Sequence, residues 1–338
     1  MSAPASCSAL WASSRPVRAT QPALQQPGAA QAGRRDRLAV ARAGKQQDAA
    51  VVEPPAATPT PQQQHQGDPA SLAASRRYLS LLPPFLGRAT DLEELSPGRL
   101  WALTQPLKLD WQAFDIRLRM VVARLPDGNM LVVSPIAPTQ EALAQLAQLG
   151  GAVRHVVLPS SSPEHWFYGP ALCAAFPDAA VWAVPGLLEG KGLPFPFFQQ
   201  YMGGVKPRCR VLGVDPLPAE LQGQIETEVL TAPFFIEAAV ILPQHGALLL
   251  ADTGFCMSAA EYGHLGAGNI KAAKKVGVWD RLGPITKVVF DKCPEQGRAW
   301  VDAILARQTW DTVVPAHATA PIRDGRAAFK ACFDFLYQ

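Results

Sequence analysis

Short apolar runs and amphipathic stretches alternate along the chain from Leu100 onward. Two apolar runs, RMVVARL and MLVVSP, flank the Asp-Gly-Asn sequence at 127–129, which predicts a β-hairpin because Gly and Asn tolerate positive φ angles. The following stretch, PTQEALAQLAQLGG, repeats leucine at helical spacing, with Thr139 as the expected N-cap and Gly150 as the expected stop. These patterns predict a hairpin followed by a covering helix.

The rest of the chain continues the alternation of strands and helices. Further strands are predicted at RHVVLP, AAVWAVP, ALLLAD, TKVVFD and DTVVPAH, and near 225–230 and 238–242. Helices are predicted over 170–176, 294–308 and 324–336. The unbroken apolar run in ALLLAD indicates a strand buried on both faces. Hairpins followed by strand–helix alternation predict a mixed α/β fold in which helices cover two layers of sheet.

Polar residues with catalytic or ligand chemistry lie at or just beyond the ends of three predicted strands. They are Glu164 with His165, Asp252, and His317. Strand ends are where α/β folds place their functional groups, because a rigid sheet directs short loops toward one point. We therefore expect these four side chains to share one cleft.

Composition excludes several classes of protein. A net charge of +3 over 338 residues gives no strong field, so no nucleic acid partner is predicted. The six cysteines contain no C-x-x-C pair, which argues against a zinc ribbon and against a disulfide-stapled secreted scaffold. No apolar run approaches the roughly 18 residues that a membrane helix needs, so no transmembrane segment is predicted.

The N-terminal residues have the composition of an organellar address. Residues 1–47 carry seven basic side chains against the single acid Asp36, in a background of Ala, Ser, Gln and Pro. The sequence VARA before Gly44 resembles a chloroplast processing site, so we predict a transit peptide over 1–43 and a chloroplast location rather than a mitochondrial one. The alternative is a basic disordered tail without an address.

Two further segments precede the predicted domain. Residues 44–75 are rich in Pro, Gln and Ala and hold almost no large apolar side chains, which predicts a disordered linker. Residues 76–99 mix a short apolar segment with Pro83 and Pro84, and we expect them to pack as a lead-in against a folded domain over 100–338.

Six short segments carry a resemblance to a known family. They are LWALTQPLKL, RMVVARLPDGNMLVVSP, FPDAAVWAVPGL, FFIEAAVI, LLLADTGF and VVPAHA, in this order over about residues 100 to 320. Together they resemble the DUF4336 family of plants, algae and bacteria and, more broadly, the metallo-β-lactamase superfamily of metal-dependent hydrolases. The resemblance implies an α/β fold of the four-layer αββα type, preceded by a disordered N-terminal extension.

The resemblance also implies that one of two metal positions is lost. In that superfamily a loop reading H-x-H-x-D-H, a later His, a bridging Asp and a final His bind two ions. The matching loop here, 160–165, reads SSSPEH, and the stretch where the later His is expected, TAPFFIEA, has Glu237 as its one charged residue. The first position keeps only Asp252, which is too few ligands to hold a divalent ion.

The second metal position retains four competent groups. By the same resemblance Glu164, His165, Asp252 and His317 form an N2O2 ligand set, which suits one zinc, iron or manganese ion and leaves room for a water of lowered pKa. Glu164 or Asp252 would serve as the catalytic base. In the alternative interpretation no metal is bound: Glu164 and His165 cap a helix start, Asp252 is a turn residue, and His317 is simply hydrogen-bonded.

Three hypotheses for function follow. The leading one is a chloroplast protein of metallo-β-lactamase fold whose degenerate metal centre is non-catalytic and binds a small molecule or a protein. The second is a mononuclear metal-dependent hydrolase that uses the four residues above. The third is a peripheral interaction with the thylakoid surface through the basic amphipathic segment 269–281. A serine hydrolase is not predicted, because the chain lacks a G-x-S-x-G motif beside its serines.

Overall fold

The computed structural model of the chain describes residues 88–107, 116–190 and 202–338. The predicted transit peptide, 1–43, and the predicted linker, 44–75, lie outside the described residues. The end of the predicted lead-in is described, and it contributes an edge strand, β1 (Asp91–Ser96), which pairs antiparallel with β2 (Leu100–Gln105). The regular structure of the described chain therefore starts ahead of Leu100.

A seven-stranded sheet, called here the N-terminal sheet, contains its strands in chain order. After β1 and β2 it comprises β3 (Leu118–Arg124), β4 (Met130–Val133), β5 (Val153–Leu158), β6 (Ala180–Ala183) and β7 (Cys209–Val211). The first four strands are antiparallel and the last four are parallel. The predicted hairpin is β3–β4, and Gly128 adopts a φ of 82° in its turn.

A four-stranded sheet, called here the C-terminal sheet, has the order β11-β10-β9-β8. Its strands are β8 (Glu226–Ala232), β9 (Phe235–Leu242), β10 (Ala247–Leu250) and β11 (Thr312–Pro315). Strands β8, β9 and β10 are antiparallel, and β11 returns parallel to β10. All four residues of β10 are buried, as the apolar run predicted.

Helices flank the two sheets. In the described residues the α-helices are α1 (Gln140–Leu149), α2 (Gly169–Ala175), α3 (Ala259–Tyr262), α4 (Ala267–Val276), α5 (Lys287–Lys292), α6 (Pro294–Ala306) and α7 (Gly325–Phe333). The Thr139 hydroxyl accepts a hydrogen bond from the Ala142 N–H at 3.1 Å, so the predicted N-cap of α1 is confirmed. Within the described ranges no helix has the length and apolar character needed to cross a bilayer.

The side chains of β9 show how the layers are stacked. Ile236, Ala238 and Val240 belong to the core shared with the N-terminal sheet and helices α1 and α2. Phe235, Ala239 and Ile241 belong to a second core, shared with helices α5, α6 and α7. Because successive strand residues point to opposite faces, β9 lies between these two cores. The order of layers is helices, sheet, sheet, helices, and the αββα fold predicted from the sequence is confirmed.

One predicted strand is wrong. The segment TKVVFD forms the helix α5 instead. Two consecutive residues, Val289 and Phe290, are buried in the second core, while Val288 is 42% exposed. A strand with one buried face would have buried alternate residues, so this pattern fits a helix. Packing of the Phe290 ring on Phe333, with 5.1 Å between ring centroids, overrides the strand preference of valine.

Candidate metal centre

The four side chains predicted as metal ligands meet at one edge of the sheets. Glu164 and His165 lie in a 3-10 turn (Pro163–His165) that follows β5, Asp252 follows β10, and His317 follows β11. One donor atom from each side chain lies within 4.8 Å of the donor atoms of the other three. The ends of three strands therefore deliver these residues to one point, as the strand-end argument predicted.

Three of the donor atoms form a compact triangle. The two imidazole Nε2 atoms of His165 and His317 are 3.2 Å apart, and they lie 3.4 Å and 3.5 Å, respectively, from Oδ1 of Asp252. Ligand atoms placed tetrahedrally at about 2.1 Å from a zinc ion lie about 3.4 Å from one another. The triangle therefore has the dimensions of one face of a tetrahedral metal site, and a carboxylate oxygen of Glu164 lies within 4.8 Å of all three atoms.

Each imidazole has a hydrogen-bond partner on its outer nitrogen. Nδ1 of His317 lies 2.7 Å from the carbonyl oxygen of Arg117, which can only accept, so Nδ1 carries the proton and Nε2 presents its lone pair to the cluster. Nδ1 of His165 lies 2.9 Å from Oγ of Ser134, a hydroxyl that can accept from an Nδ1–H or donate to an unprotonated Nδ1. Such outer partners are what fixes the orientation of metal-binding histidines.

Backbone strain is concentrated around these partners. Arg117, Ser134 and Ala318 have φ angles of 55°, 58° and 53°, in the left-handed region that non-glycine residues rarely adopt. Each such residue costs on the order of 1–3 kcal/mol and persists where the surroundings enforce it. Arg117 and Ser134 hold the two histidines, and Ala318 follows His317, so the strain is located at the candidate site.

A buried arginine supports the turn that carries His317. The Arg119 guanidinium on β3 donates hydrogen bonds to the carbonyl oxygens of Pro315 at 2.6 Å and Ala318 at 2.8 Å. Its backbone N–H donates to the carbonyl oxygen of Ala316 at 2.7 Å. Burial lowers the pKa of Arg119 from its usual value. Arg119 therefore links the N-terminal sheet to both sides of His317.

The pKa of one ionisable group in the cluster is lowered, whereas the pKa values of two others are raised. Burial alone would raise the pKa of Asp252, but the neighbouring His165 and His317 outweigh it and hold that pKa below its usual range. Burial likewise opposes the charge on His165, yet Asp252 raises its pKa above the usual value. Burial and the negative charge of Asp252 both raise the pKa of Glu164. Asp252 is thus suited to remain ionised, and Glu164 is suited to exchange a proton.

The turn that carries Asp252 is held by another carboxylate, Glu237 on β9. Its side chain accepts hydrogen bonds from the N–H groups of Ala251 at 2.9 Å, Asp252 at 2.8 Å and Thr253 at 3.1 Å, and also from the Thr253 hydroxyl. Burial, followed by the charge of Asp252, raises the pKa of Glu237 to about 7, although these donors oppose the shift. Because Glu237 satisfies this turn, the Asp252 carboxylate faces the two histidines rather than its own backbone.

Two of the three serines in the loop, Ser160 and Ser161, make side-chain hydrogen bonds with the protein. Oγ of the buried Ser161 accepts from the Ile236 N–H at 3.0 Å, and the Ser161 N–H donates to the Ile236 carbonyl at 2.8 Å. Oγ of the buried Ser160 accepts from the Ser162 N–H at 3.1 Å. The loop is therefore joined to β9 of the C-terminal sheet by protein hydrogen bonds in the region where the superfamily binds its first ion.

Other histidines and the basic segment lie outside the cluster. His155 accepts from the Trp182 indole at 3.3 Å, and His264 stacks on Tyr262. The predicted amphipathic segment 269–281 forms most of helix α4, whose lysines are exposed and whose buried residue is Ala273. Among the described residues, the four predicted ligands are the group of His, Cys, Asp and Glu that could hold an ion.

A family match covers about the first two thirds of the domain predicted over 100–338. Residues 97–260 match the family described as a domain of unknown function, DUF4336. The match spans 164 of the 338 residues, just under half of the chain. The matched segment includes Glu164, His165 and Asp252, while His317 lies beyond it. The family resemblance inferred from the sequence is confirmed, and no curated protein is significantly similar to the chain.

Several solved structures are similar to this chain in fold. A DIM-1 metallo-β-lactamase exposed to ceftazidime shares 11% identity with a TM-score of 0.46, covering 73% of this chain and 97% of the other. Metallo-β-lactamase IND-7 shares 10% identity with a TM-score of 0.47, covering 74% and 98%. A β-lactamase domain protein from Burkholderia ambifaria shares 16% identity with a TM-score of 0.44, covering 72% and 71%. At these values the likeness carries no information on substrate.

Sequence reasoning missed the residues that hold the ligands in place. Ser134 is the polar residue that ends the strand MLVV, so the strand-end argument applied to it as well. Glu237 is the one charged residue in the apolar run FFIEAAVI, which is a signal for a buried carboxylate with partners. Arg119 lies in an apolar strand in the same way. All three signals mark polar groups that a buried strand keeps only when they are hydrogen-bonded.

Proposed function

We propose that the DUF4336 domain of this chain is a mononuclear metal-dependent hydrolase. His165, Asp252 and His317 would bind one divalent ion, and Glu164 would lie beside a water in the fourth coordination position. The observation that carries the proposal is the triangle of donor atoms, whose edges of 3.2, 3.4 and 3.5 Å match those of a single tetrahedral ion. The Arg117 carbonyl supports it, because it fixes the His317 tautomer whose Nε2 lone pair points inward, and the Ser134 hydroxyl can accept from Nδ1 of His165 in the same tautomer.

The residues divide the chemistry between them. A bound divalent ion supplies Lewis acidity and brings the pKa of a coordinated water toward neutrality. Glu164, whose pKa is raised by burial and by Asp252, suits the role of general base beside that water. Asp252, whose pKa is held low, suits a ligand better than a base. Of the two candidate bases, the proposal therefore assigns proton transfer to Glu164.

Zinc, iron and manganese all fit the ligand set. Two imidazole nitrogens and one carboxylate, with a water as the fourth ligand, are accepted by each of these ions, and the order of intrinsic affinities favours zinc over iron and manganese. We propose zinc as the first ion to test. The compact triangle supports this choice, because zinc prefers four ligands in a tetrahedral arrangement.

Non-catalytic binding at the same centre is the second candidate function. His165 and His317 are fully buried and Asp252 is 4% exposed. In this second function the buried groups would still hold an ion. The ion would bind a small molecule or a protein beside Glu164, and the bound partner would not be hydrolysed. A panel of ester, thioester, lactone and phosphodiester substrates separates the two candidates: turnover that needs the metal supports the hydrolase, and metal binding without turnover supports the binding role.

Metal analysis of the purified full chain tests the proposal. We expect about one zinc, iron or manganese ion per chain, and loss of that ion in the double variant His165→Ala His317→Ala. The matched control is His264→Ala, which removes an exposed histidine outside the cluster. A wild-type chain that binds no zinc even with the metal in excess, or a double variant that binds as well as the wild type, contradicts the proposal.

We also propose that the protein is located in the chloroplast. The support is the basic, acid-poor composition of residues 1–47 and the small-residue sequence near Ala43. Fusion of residues 1–60 to a fluorescent protein tests it in algal or plant cells. We expect chloroplast fluorescence and a mature N-terminus near residue 44. Fluorescence in the cytosol with an intact N-terminus contradicts the proposal.

A further inference from the structure

A buried carboxylate, that of Glu237, contacts the backbone beside the candidate metal centre but is not one of the four predicted ligands. Glu237 is 0% exposed and is located on β9, the strand between the two cores. A buried charge is costly unless it is paired or hydrogen-bonded, so its partners explain why it is retained. Those partners are three successive N–H groups, of Ala251, Asp252 and Thr253, and the Thr253 hydroxyl.

The four donors use the whole acceptor capacity of this carboxylate. A carboxylate offers about four lone-pair sites, and four hydrogen bonds occupy them. Glu237 therefore has no lone pair directed at an ion, although it lies in the stretch where the superfamily places a metal-binding histidine. It holds the backbone of 251–253 instead, and that backbone determines where the Asp252 side chain points.

The same strand segment also holds the other ligand loop. The Ile236 N–H and carbonyl bond to Ser161, and the Ala238 N–H donates to the Pro159 carbonyl at 2.7 Å. Ser160 and Glu237 form an antiparallel bridge between the sheets. Residues 236–238 thus connect the loop that leads to His165 with the turn that carries Asp252, so Glu237 lies at the junction of the two.

We propose that Glu237 is the positioning residue of the metal centre, and that it keeps the centre to one ion. This inference rests on the proposed metal binding. The carboxylate fixes the turn 251–253 so that Oδ1 of Asp252 faces both imidazoles, and its filled acceptor sites withhold a ligand from a second ion. Glutamine cannot replace it, because an amide nitrogen would face N–H donors and leave at least one unpaired.

The experiment compares Glu237→Gln with Glu228→Gln in the full chain. Glu228 provides a matched control, because it is a glutamate on the neighbouring strand β8 that bonds the surface residue Arg307. Zinc affinity is measured by chelator competition, and ligand geometry by the visible absorption of the cobalt-substituted protein. We expect Glu237→Gln to weaken zinc binding by about 10- to 100-fold and to change the cobalt spectrum, as loss of an outer partner does. Glu228→Gln should leave both unchanged.

Three other outcomes would overturn the inference about Glu237. A Glu237→Gln variant with wild-type zinc affinity and cobalt spectrum overturns the inference while leaving the proposed metal binding intact. A wild-type chain that binds two ions, one of them lost in Glu237→Gln, also overturns it, because Glu237 would then be a ligand. A wild-type chain that binds no zinc overturns the proposed function and this inference together.

A second variant keeps the test informative if Glu237→Gln does not fold. Thr253→Val removes one of the four donors and retains the carboxylate and the three backbone bonds. We expect a weaker effect in the same direction, a loss of zinc affinity of about threefold to tenfold with an altered cobalt spectrum. Unchanged affinity and spectrum in Thr253→Val overturn the inference.

Discussion

His165 and His317 are separated by 152 positions in the chain, yet their Nε2 atoms lie 3.2 Å apart. Two imidazoles with both lone pairs facing one another at this distance repel, so either a proton or a cation must lie between or beside them. Asp252 contacts both rings and supplies a negative charge for that cation. The cluster is therefore arranged for a positive charge, held either by the His165 ring, whose pKa is raised, or by the divalent ion proposed above.

Ser134 offers a test of how the His165 ring is oriented. Ser134→Ala removes the Oγ partner of Nδ1, so we expect zinc affinity to fall by about tenfold, because the ring loses its outer hydrogen bond. Chelator competition measures the change. Unchanged zinc affinity would show that the serine does not orient the ring.

A second substitution at Ser134 tests whether its left-handed backbone conformation is strained. Ser134→Gly also removes the hydroxyl, but glycine adopts a φ of 58° without strain. We expect Ser134→Gly to be the more stable variant, with a free energy of unfolding about 1 kcal/mol higher than that of Ser134→Ala. Urea denaturation of both metal-free variants measures the difference, and equal stabilities would contradict it.

The metal-free protein should lose stability on the alkaline side of neutrality. The pKa of His165 is raised above its usual 6.5, so the protonated ring stabilises the fold fully below pH 6.5, and this contribution is lost as the pH rises through the folded-state pKa. Asp252 acts with the opposite sign. Its pKa is depressed below the usual 3.8, so its contribution is present above pH 3.8 and is lost only in stronger acid.

Asp252→Asn tests this dependence, because it removes the charge that raises the His165 pKa. Urea denaturation of the metal-free wild type at about pH 6 and pH 9 should show a lower free energy of unfolding at the higher pH. The variant should show a smaller decrease. If the two proteins decrease by the same amount, the alkaline loss comes from groups other than the His165–Asp252 pair.

Arg119 should stabilise the fold through its geometry and not only its charge. Arg119→Lys retains a cation but loses the fork that reaches the carbonyls of Pro315 and Ala318 together. We expect a loss of about 2–3 kcal/mol in the free energy of unfolding, since buried acceptors lose charged donors. The control is Arg117→Lys, whose side chain is 45% exposed and should be nearly neutral. A loss as small as that of the control would contradict the assignment.

Restoring the early histidines should not restore a second ion. We expect the double variant Ser160→His Ser162→His to bind one ion per chain, the number proposed for the wild type. Ser160 is fully buried, and the nearby loop is bonded to β9, so an imidazole there lacks both space and a third ligand. Metal analysis of the purified variant gives the stoichiometry, and two ions per chain would contradict the expectation.

The local pattern of the sequence was enough for most of the fold. Strand alternation, the Asp-Gly-Asn turn and the Thr139 cap depend on interactions between residues close in the chain, and the structure reproduces them. The strand-end argument located Glu164, His165, Asp252 and His317 for a similar reason, because a strand fixes the direction in which its own end points. The strand predicted at TKVVFD failed because contacts with Phe333, distant in sequence, decide that segment.

Short segments of the chain specify which side chains are available at the centre, since residue types and positions after strands are local properties. The roles of His165, Asp252 and His317 depend on the folded arrangement, because other strands and loops hold them in place. His317 is held by Arg117, 200 positions earlier, and Asp252 is placed by Glu237 from another strand. Donor atoms must meet within tenths of an ångström to bind one ion, and that precision arises when strands from separate parts of the chain pack into two sheets.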